Sequence, residues 1–305
     1  MRSERRLTGR SIALGLTIGS CMLVVWLALA TAAFAAPPLA FVRDGDIWTV
    51  AANGSGLERL TSDRSYDFGP AWSPGRGTIA FIRRPSADRS GGARVWSMRS
   101  DGNEAHRLTY SGPSLTSGAD VLAYSPNGRL LAGGSQLRAG AKYAVTVLDL
   151  ETGKSRIVCR YSCQNGSQSL TWSPDGKQLV ATIEYGGAYG MLRIDVARSR
   201  LIRNYGANMV ESASWRPDGK YLLCSRWVPT ASASRFRTLL MNLDGSRVKV
   251  LGKNQRLPVY APDGSQYVFL RSRSNGACDL LRATADGSGV TTIAENVDFS
   301  IAAWK

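Results

Sequence analysis

The strongest constraint on this chain is a short turn that recurs in phase. Residues 170–181 read Leu-Thr-Trp-Ser-Pro-Asp-Gly-Lys-Gln-Leu-Val-Ala. Pro174 presets φ for the second turn position, Ser173 and Asp175 can bond the local backbone, and Gly176 accepts the left-handed geometry that closes a hairpin. Apolar residues on both sides predict two short, half-buried strands. One such hairpin says little, but it returns at Trp72-Ser73-Pro74-Gly75, Tyr124-Ser125-Pro126-Asn127-Gly128, Trp215-Arg216-Pro217-Asp218-Gly219 and Tyr260-Ala261-Pro262-Asp263-Gly264. The turn prolines are 52, 48, 43 and 45 residues apart. Ala302-Ala303-Trp304 begins a sixth copy, its aromatic 44 residues after Tyr260.

A second signal falls between these turns. Val95-Trp96-Ser97-Met98 leads to Asp101-Gly102 and then Arg107-Leu108-Thr109, and Ile47 to Val50 leads to Asn53-Gly54 and Arg59-Leu60-Thr61. Leu240 to Leu243 leads to Asp244-Gly245, and Leu280-Leu281 to Asp286-Gly287. The units starting at Val145 and Met191 carry Glu151-Thr152-Gly153 and Ala197-Arg198-Ser199 at this turn. Four strands in a unit of about 45 residues is the period of a propeller blade. At that period residues 37–305 divide into six units. The expected fold is therefore all-β: a six-bladed β-propeller of four-stranded antiparallel blades. The ends predict how the ring closes. Leu39 to Val42, Ile47 to Val50 and Leu57 to Thr61 are three strands lacking an inner one, and Phe299 to Trp304 is a single strand lacking the other three. Joining them leaves no sheet edge open. Trp72, Tyr124, Trp172, Trp215, Tyr260 and Trp304 recur once per blade, which assigns them to packing between blades rather than to a sugar-stacking platform.

Trp-Ser-Pro-Asp-Gly-Lys before an apolar strand, then Asp-Gly-Ser further on, resembles the WD-like repeat of TolB-type β-propellers. The resemblance covers nearly all of residues 37–305 and rests on five full copies in phase. It implies protein–protein contacts with envelope components, as in a translocation or envelope-maintenance system.

The first ten residues hold Arg2, Arg5, Arg6 and Arg10 against Glu4, and Ser11 to Ala36 carries no charge. A positive start, an apolar core and the small-x-small site Ala33-Phe34-Ala35 read as a cleaved export signal over residues 1–36. An uncleaved anchor is the competing reading, because the apolar run is long enough to span a bilayer. Either way the folded part is expected outside the cytoplasm: periplasmic, extracellular, or anchored and facing outward.

The whole chain has 38 Lys and Arg against 23 Asp and Glu, a net +15, of which +12 remains beyond residue 36. In a propeller the Ser-Pro-Asp-Gly and Asp-Gly turns share one face; the loops between second and third strands share the other. The latter hold Arg43, Arg83, Arg84, Arg89, Arg94, Arg138, Lys142, Arg226, Arg235, Arg237, Arg271 and Arg273, against Asp44, Asp46, Asp88, Glu184 and Asp279. These loops are either a solvated surface or a working basic face for an anionic partner. Arg83, Arg84, Arg226, Arg271 and Arg273 are the candidate partner-binding residues. An envelope protein or an anionic envelope polymer is the expected partner, and an exported protein has no nucleic acid to meet. The propeller is expected to be a monomer.

Cys159 and Cys163 sit in one blade-to-blade connection and are near enough in sequence to bridge, or they are free thiols or half of a metal site; Cys224 and Cys278 belong to adjacent blades and form the other candidate pair. His106 is the only histidine and lies beside an outer strand, which excludes a histidine-clustered metal site and favours a solvent-facing role over a general base. Asp44-Gly45-Asp46 reads as a hairpin turn before it reads as a cation site. No Gly-x-Ser-x-Gly elbow occurs. No catalytic residue, metal or cofactor is assigned. The expected function is a non-catalytic binding or scaffold propeller at the cell envelope. The alternative is a carbohydrate-active or peptidase-related propeller enzyme, which requires convergent carboxylates at the channel mouth.

Overall fold

The computed structural model describes residues 38–75, 77–85, 92–116, 118–138, 142–163, 167–185, 187–206, 208–229, 236–300 and 303–304. The export or anchor segment 1–36 and the loop residues Asp88, Arg89 and Arg235 lie outside the described residues.

Every regular element described is a strand. The N-terminus supplies β1 (Pro38–Arg43), β2 (Asp46–Ala51) and β3 (Glu58–Arg59) to blade 1. Blade 2 holds β4 (Tyr66–Trp72), β5 (Thr78–Arg84), β6 (Arg94–Arg99) and β7 (His106–Arg107). Blade 3 holds β8 (Gly118–Tyr124), β9 (Leu130–Arg138), β10 (Lys142–Asp149) and β11 (Lys154–Ser162), and blade 4 β12 (Ser167–Trp172), β13 (Gln178–Tyr185), β14 (Ala188–Asp195) and β15 (Arg200–Asn204). Blade 5 holds β16 (Val210–Trp215), β17 (Tyr221–Trp227), β18 (Phe236–Asn242) and β19 (Arg247–Lys253), and blade 6 β20 (Arg256–Tyr260), β21 (Gln266–Ser272), β22 (Cys278–Thr284) and β23 (Thr291–Val297). The last strand, β24 (Ala303–Trp304), returns to blade 1 and pairs antiparallel with β1, Leu39 opposite Trp304 and Ala40 opposite Ala303. The six sheets each have four strands, so the expected six-bladed propeller and its closure from both termini are both present.

The core lies between blades. Side chains alternate across a strand, so each blade offers one face to each neighbour. In β1, Leu39 and Phe41 pack with blade 6 residues such as Val268 and Leu280, whereas Ala40 and Val42 pack with blade 2 residues such as Ile79 and Phe81. Strands covered on both faces read as unbroken apolar runs, as in Ile79 to Ile82, all buried.

The recurring turn forms as its residues dictate. The Gly176 amide bonds the Ser173 carbonyl at 2.8 Å, Ser173 Oγ donates to Asp175 Oδ1 at 2.6 Å, and the Gln178 amide donates to Ser173 Oγ at 2.9 Å. Gly176 has φ +69°, the conformation expected for this position. A Cβ at Gly176 would stand 3.6 Å from Pro126 Cδ of the preceding blade, and the corresponding glycines 128, 219 and 264 face Pro74, Pro174 and Pro217 in the same way. The proline and glycine of one motif thus belong to contacts with two different neighbours, and the turns form a ring.

The innermost strands are joined to each other by side chains. The Ala213 amide donates to Ser169 Oγ (3.1 Å), the Trp215 amide to Thr171 Oγ1 (3.2 Å) and the Tyr260 amide to Ser214 Oγ (3.2 Å). Trp172 Nε1 donates to the Ala123 carbonyl and Trp304 Nε1 to the Val259 carbonyl, each at 3.0 Å and each in the blade before. The once-per-blade aromatics therefore do pack between blades.

Candidate functional site

Two ends of the central channel differ. At the turn end the six recurrent aromatics and four of the turn prolines, Pro126, Pro174, Pro217 and Pro262, line a cavity of about 460 Å³. At the loop end, where the innermost strands begin, buried acids pair with arginines. Asp67 on β4 is fully buried and accepts two bonds from Arg83 on β5, Nε to Oδ1 and Nη2 to Oδ2, each 2.7 Å. Arg83 also reaches Asp63 at 2.8 Å, and its guanidinium stands 4.6 Å from the Trp96 ring centre. Burial pushes the Asp67 carboxyl above the ordinary value, an effect that its bonds to Arg83 only partly offset. On β16, buried Glu211 accepts from Ser225 Oγ at 2.8 Å and pairs with Arg256 of β20. Arg256 lies between two phenyl rings, 4.2 Å from the centre of Phe236 and 4.1 Å from that of Phe299.

The candidate arginines divide accordingly. Arg83 is a structural residue, with only 12% of its side chain exposed. Arg273, just past the end of β21, bonds Asp279 of β22 at 2.7 Å and pairs with Glu295 of β23 at 3.1 Å. Arg84 stands over Phe68, 5.0 Å from the ring centre, and Arg271 over Phe269, 5.7 Å away and opposite Asp279 in register. Arg226 is exposed on β17 and has no acid opposite it: the register runs Val210, Arg226, Arg237, Lys253 across four strands. Register partners share a face of the sheet, so three cations stand in a row. Arg237 Nε is buried without a hydrogen-bond partner among the described residues.

Acids missing from the loop inventory come from other segments. Asp63 lies in a blade connection, Asp67 and Glu211 on innermost strands, Glu295 on β23 and Asp298 just beyond it. Asp298 accepts the amides of Asp44 and Gly45 at 3.2 and 3.0 Å, which fixes the first hairpin. The legible signal was a charged residue four or five positions before the recurrent Trp, inside an otherwise uncharged strand. Asp46 is engaged by Arg59 at 2.6 Å, in keeping with a plain turn. His106 is exposed on β7, its Nδ1 2.8 Å from the Glu104 carbonyl. Cys159, Cys163, Cys224 and Cys278 are buried free thiols; Cys159 and Cys163 share one core cluster, and Cys224 and Cys278 occupy different ones. Burial pushes the Cys224 thiol far above its ordinary value. Among the described residues no group of three or more His, Cys, Asp or Glu is arranged to hold a metal.

No protein-family model matches the sequence, and no curated protein matches it. Solved structures do. TolB from Acinetobacter baumannii superposes with a TM-score of 0.68 at 17% identity, covering 88% of this chain and 66% of that one. A putative TolB from Agrobacterium tumefaciens gives 0.66 at 15% identity, covering 87% and 92%. The fold is the TolB-type six-bladed propeller. An oligogalacturonate lyase in complex with manganese also superposes, at 0.56 and 15% identity over 82% and 70%. At these identities the likeness concerns fold, and one fold can carry unrelated functions.

Proposed function

We propose that this chain is an exported, non-catalytic binding scaffold of TolB type, whose loop face docks an acidic envelope protein. The observation that carries this is the cation row on blade 5. Like charges directly opposite in a sheet destabilise it. Blade 2 meets the same problem with an acid: Arg83 is opposite Asp67, five residues before Trp72. In blade 5 the corresponding position, five residues before Trp215, is Val210, and Arg226, Arg237 and Lys253 have no counter-charge in their row. An acidic partner supplies it. The enzyme reading finds less support, because the carboxylates Asp67 and Glu211 at the loop end are each committed to an arginine.

The test is co-sedimentation of the full chain with envelope fractions over an ionic-strength series, comparing wild type with the R226E/K253E variant. Both side chains are exposed, so the melting temperature should hold. Binding should weaken with salt in wild type and be lost in the variant. Equal, salt-independent binding by both proteins overturns the reading.

A further inference from the structure

Blade 2 carries a second basic feature, separate from the blade 5 row. A cleft of about 440 Å³ opens beside β6, lined by Arg83, Arg94, Trp96, Arg107 and Ser65 among others. A neighbouring cleft of similar volume again has Arg94 and Arg107 in its wall. Both volumes fall in the range of small-ligand sites, about 300–1,000 Å³. Arg107 is opposite Trp96 in register, so its side chain and the indole share a face. Arg94 is opposite Arg83 on β5.

The three guanidiniums are not equivalent. Arg83 is neutralised by Asp67 and Asp63 and lies against the Trp96 ring. Arg94 is exposed and, among the described residues, bonds only the carbonyl of Ala93, at 2.9 Å. It lies against the backbone of Gly92, where a Cβ would approach Nη1 to 2.7 Å, so the glycine makes room for it. Arg107 is exposed and makes no ion pair among the described residues. By contrast, Arg59, Arg99 and Arg129 in blades 1 to 3 each have an acid within reach. Two open forks therefore flank a half-exposed indole, with a serine hydroxyl at the edge.

We infer that this cleft binds an anionic sugar, its acid group held by Arg94 and Arg107 and its ring against Trp96. A guanidinium matches a planar carboxylate or a phosphate through two parallel bonds. An indole offers an apolar face to a sugar ring, and Ser65 offers a hydroxyl to a neutral one. A ligand with both an acid and a hydroxylated ring that has an apolar C–H face uses all these groups. The ring distinguishes it from the acidic protein surface proposed for blade 5.

The experiment is calorimetric titration of the full chain with trigalacturonate, with a hexose phosphate, and with neutral trigalactose as control. An anionic sugar should bind and the neutral one should not; which of the two acids binds identifies the source. The R94A/R107A variant should keep its melting temperature and lose affinity by about tenfold or more, the scale of lost charge-assisted bonds. R94K/R107K keeps the charges without the forks and should fall between the two. Lysine variants that bind like wild type overturn fork recognition. No binding of either acid, or equal binding by R94A/R107A, overturns the site. The R226E/K253E variant should retain the sugar. If that variant alone loses it, the ligand belongs to blade 5: the cleft inference fails while the basic-rim reading stands.

Discussion

The same basic residue does different work depending on one position opposite it. Arg83 and Arg226 occupy corresponding places on the second strands of blades 2 and 5, one facing Asp67 and the other Val210. The first is a buried, bidentate pair. The second is an exposed cation in a row of cations. Removing Arg83 strands a buried carboxylate, and breaking such a pair costs about 3–5 kcal/mol. R83A should therefore lower the denaturation midpoint sharply, whereas R226A should leave it nearly unchanged; chemical denaturation measures both. Asp67 also predicts a pH effect. Its folded pKa is raised above the ordinary 3.8, so the folded state holds the proton that the unfolded state releases. This contribution to stability is full below the unfolded value and falls as pH rises through the folded one. D67N should flatten that part of the stability–pH curve, and an unchanged slope would assign it to another group.

At the level of elements, the two kinds of hairpin glycine look alike in sequence and differ in surroundings. Gly219 and Gly287 both have positive φ, +72° and +93°. A Cβ at Gly219 would meet Pro174 of the preceding blade at an ordinary 3.8 Å. At Gly287 it would run into the Leu251 carbonyl oxygen at the outer edge of blade 5. G219A should cost only the left-handed backbone term, about 1–2 kcal/mol. G287A adds a clash with backbone and should cost more. Thermal melts of the two variants side by side test this ordering, and equal losses would show that the outer turns yield freely.

For the whole molecule, the ring closes through little hydrogen bonding and much burial. β24 contributes two residue pairs to blade 1. Around it, Trp304 is buried and bonds Val259 of blade 6, Asp298 holds the first hairpin, and Phe299 covers Arg256. This closing segment spans the seam between first and last blades. Deleting residues 299–305 should open the ring and expose the Leu39 and Ala40 edge, with a large fall in melting temperature and a tendency to associate through that edge. A melting temperature equal to that of the full chain would mean that the seam is held elsewhere.

What the sequence determined alone is what repeats: the blade count, the four-strand unit, the turn chemistry and the closure. These follow from local signals, because Trp-Ser-Pro-Asp-Gly carries its own backbone geometry and apolar alternation needs only neighbours two residues away. His106 at an exposed edge and the aromatics between blades were legible for the same reason. Which charges are spent and which are free was decided only by tertiary structure. Arg83 is separated from Asp67 by sixteen residues and Arg256 from Glu211 by forty-five, and nothing local tells which arginine each acid takes. Counting loop charges placed Arg83 and Arg273 beside Arg226 as equals, because an ion pair depends on the distance between side chains in space, and only the packed ring sets that distance.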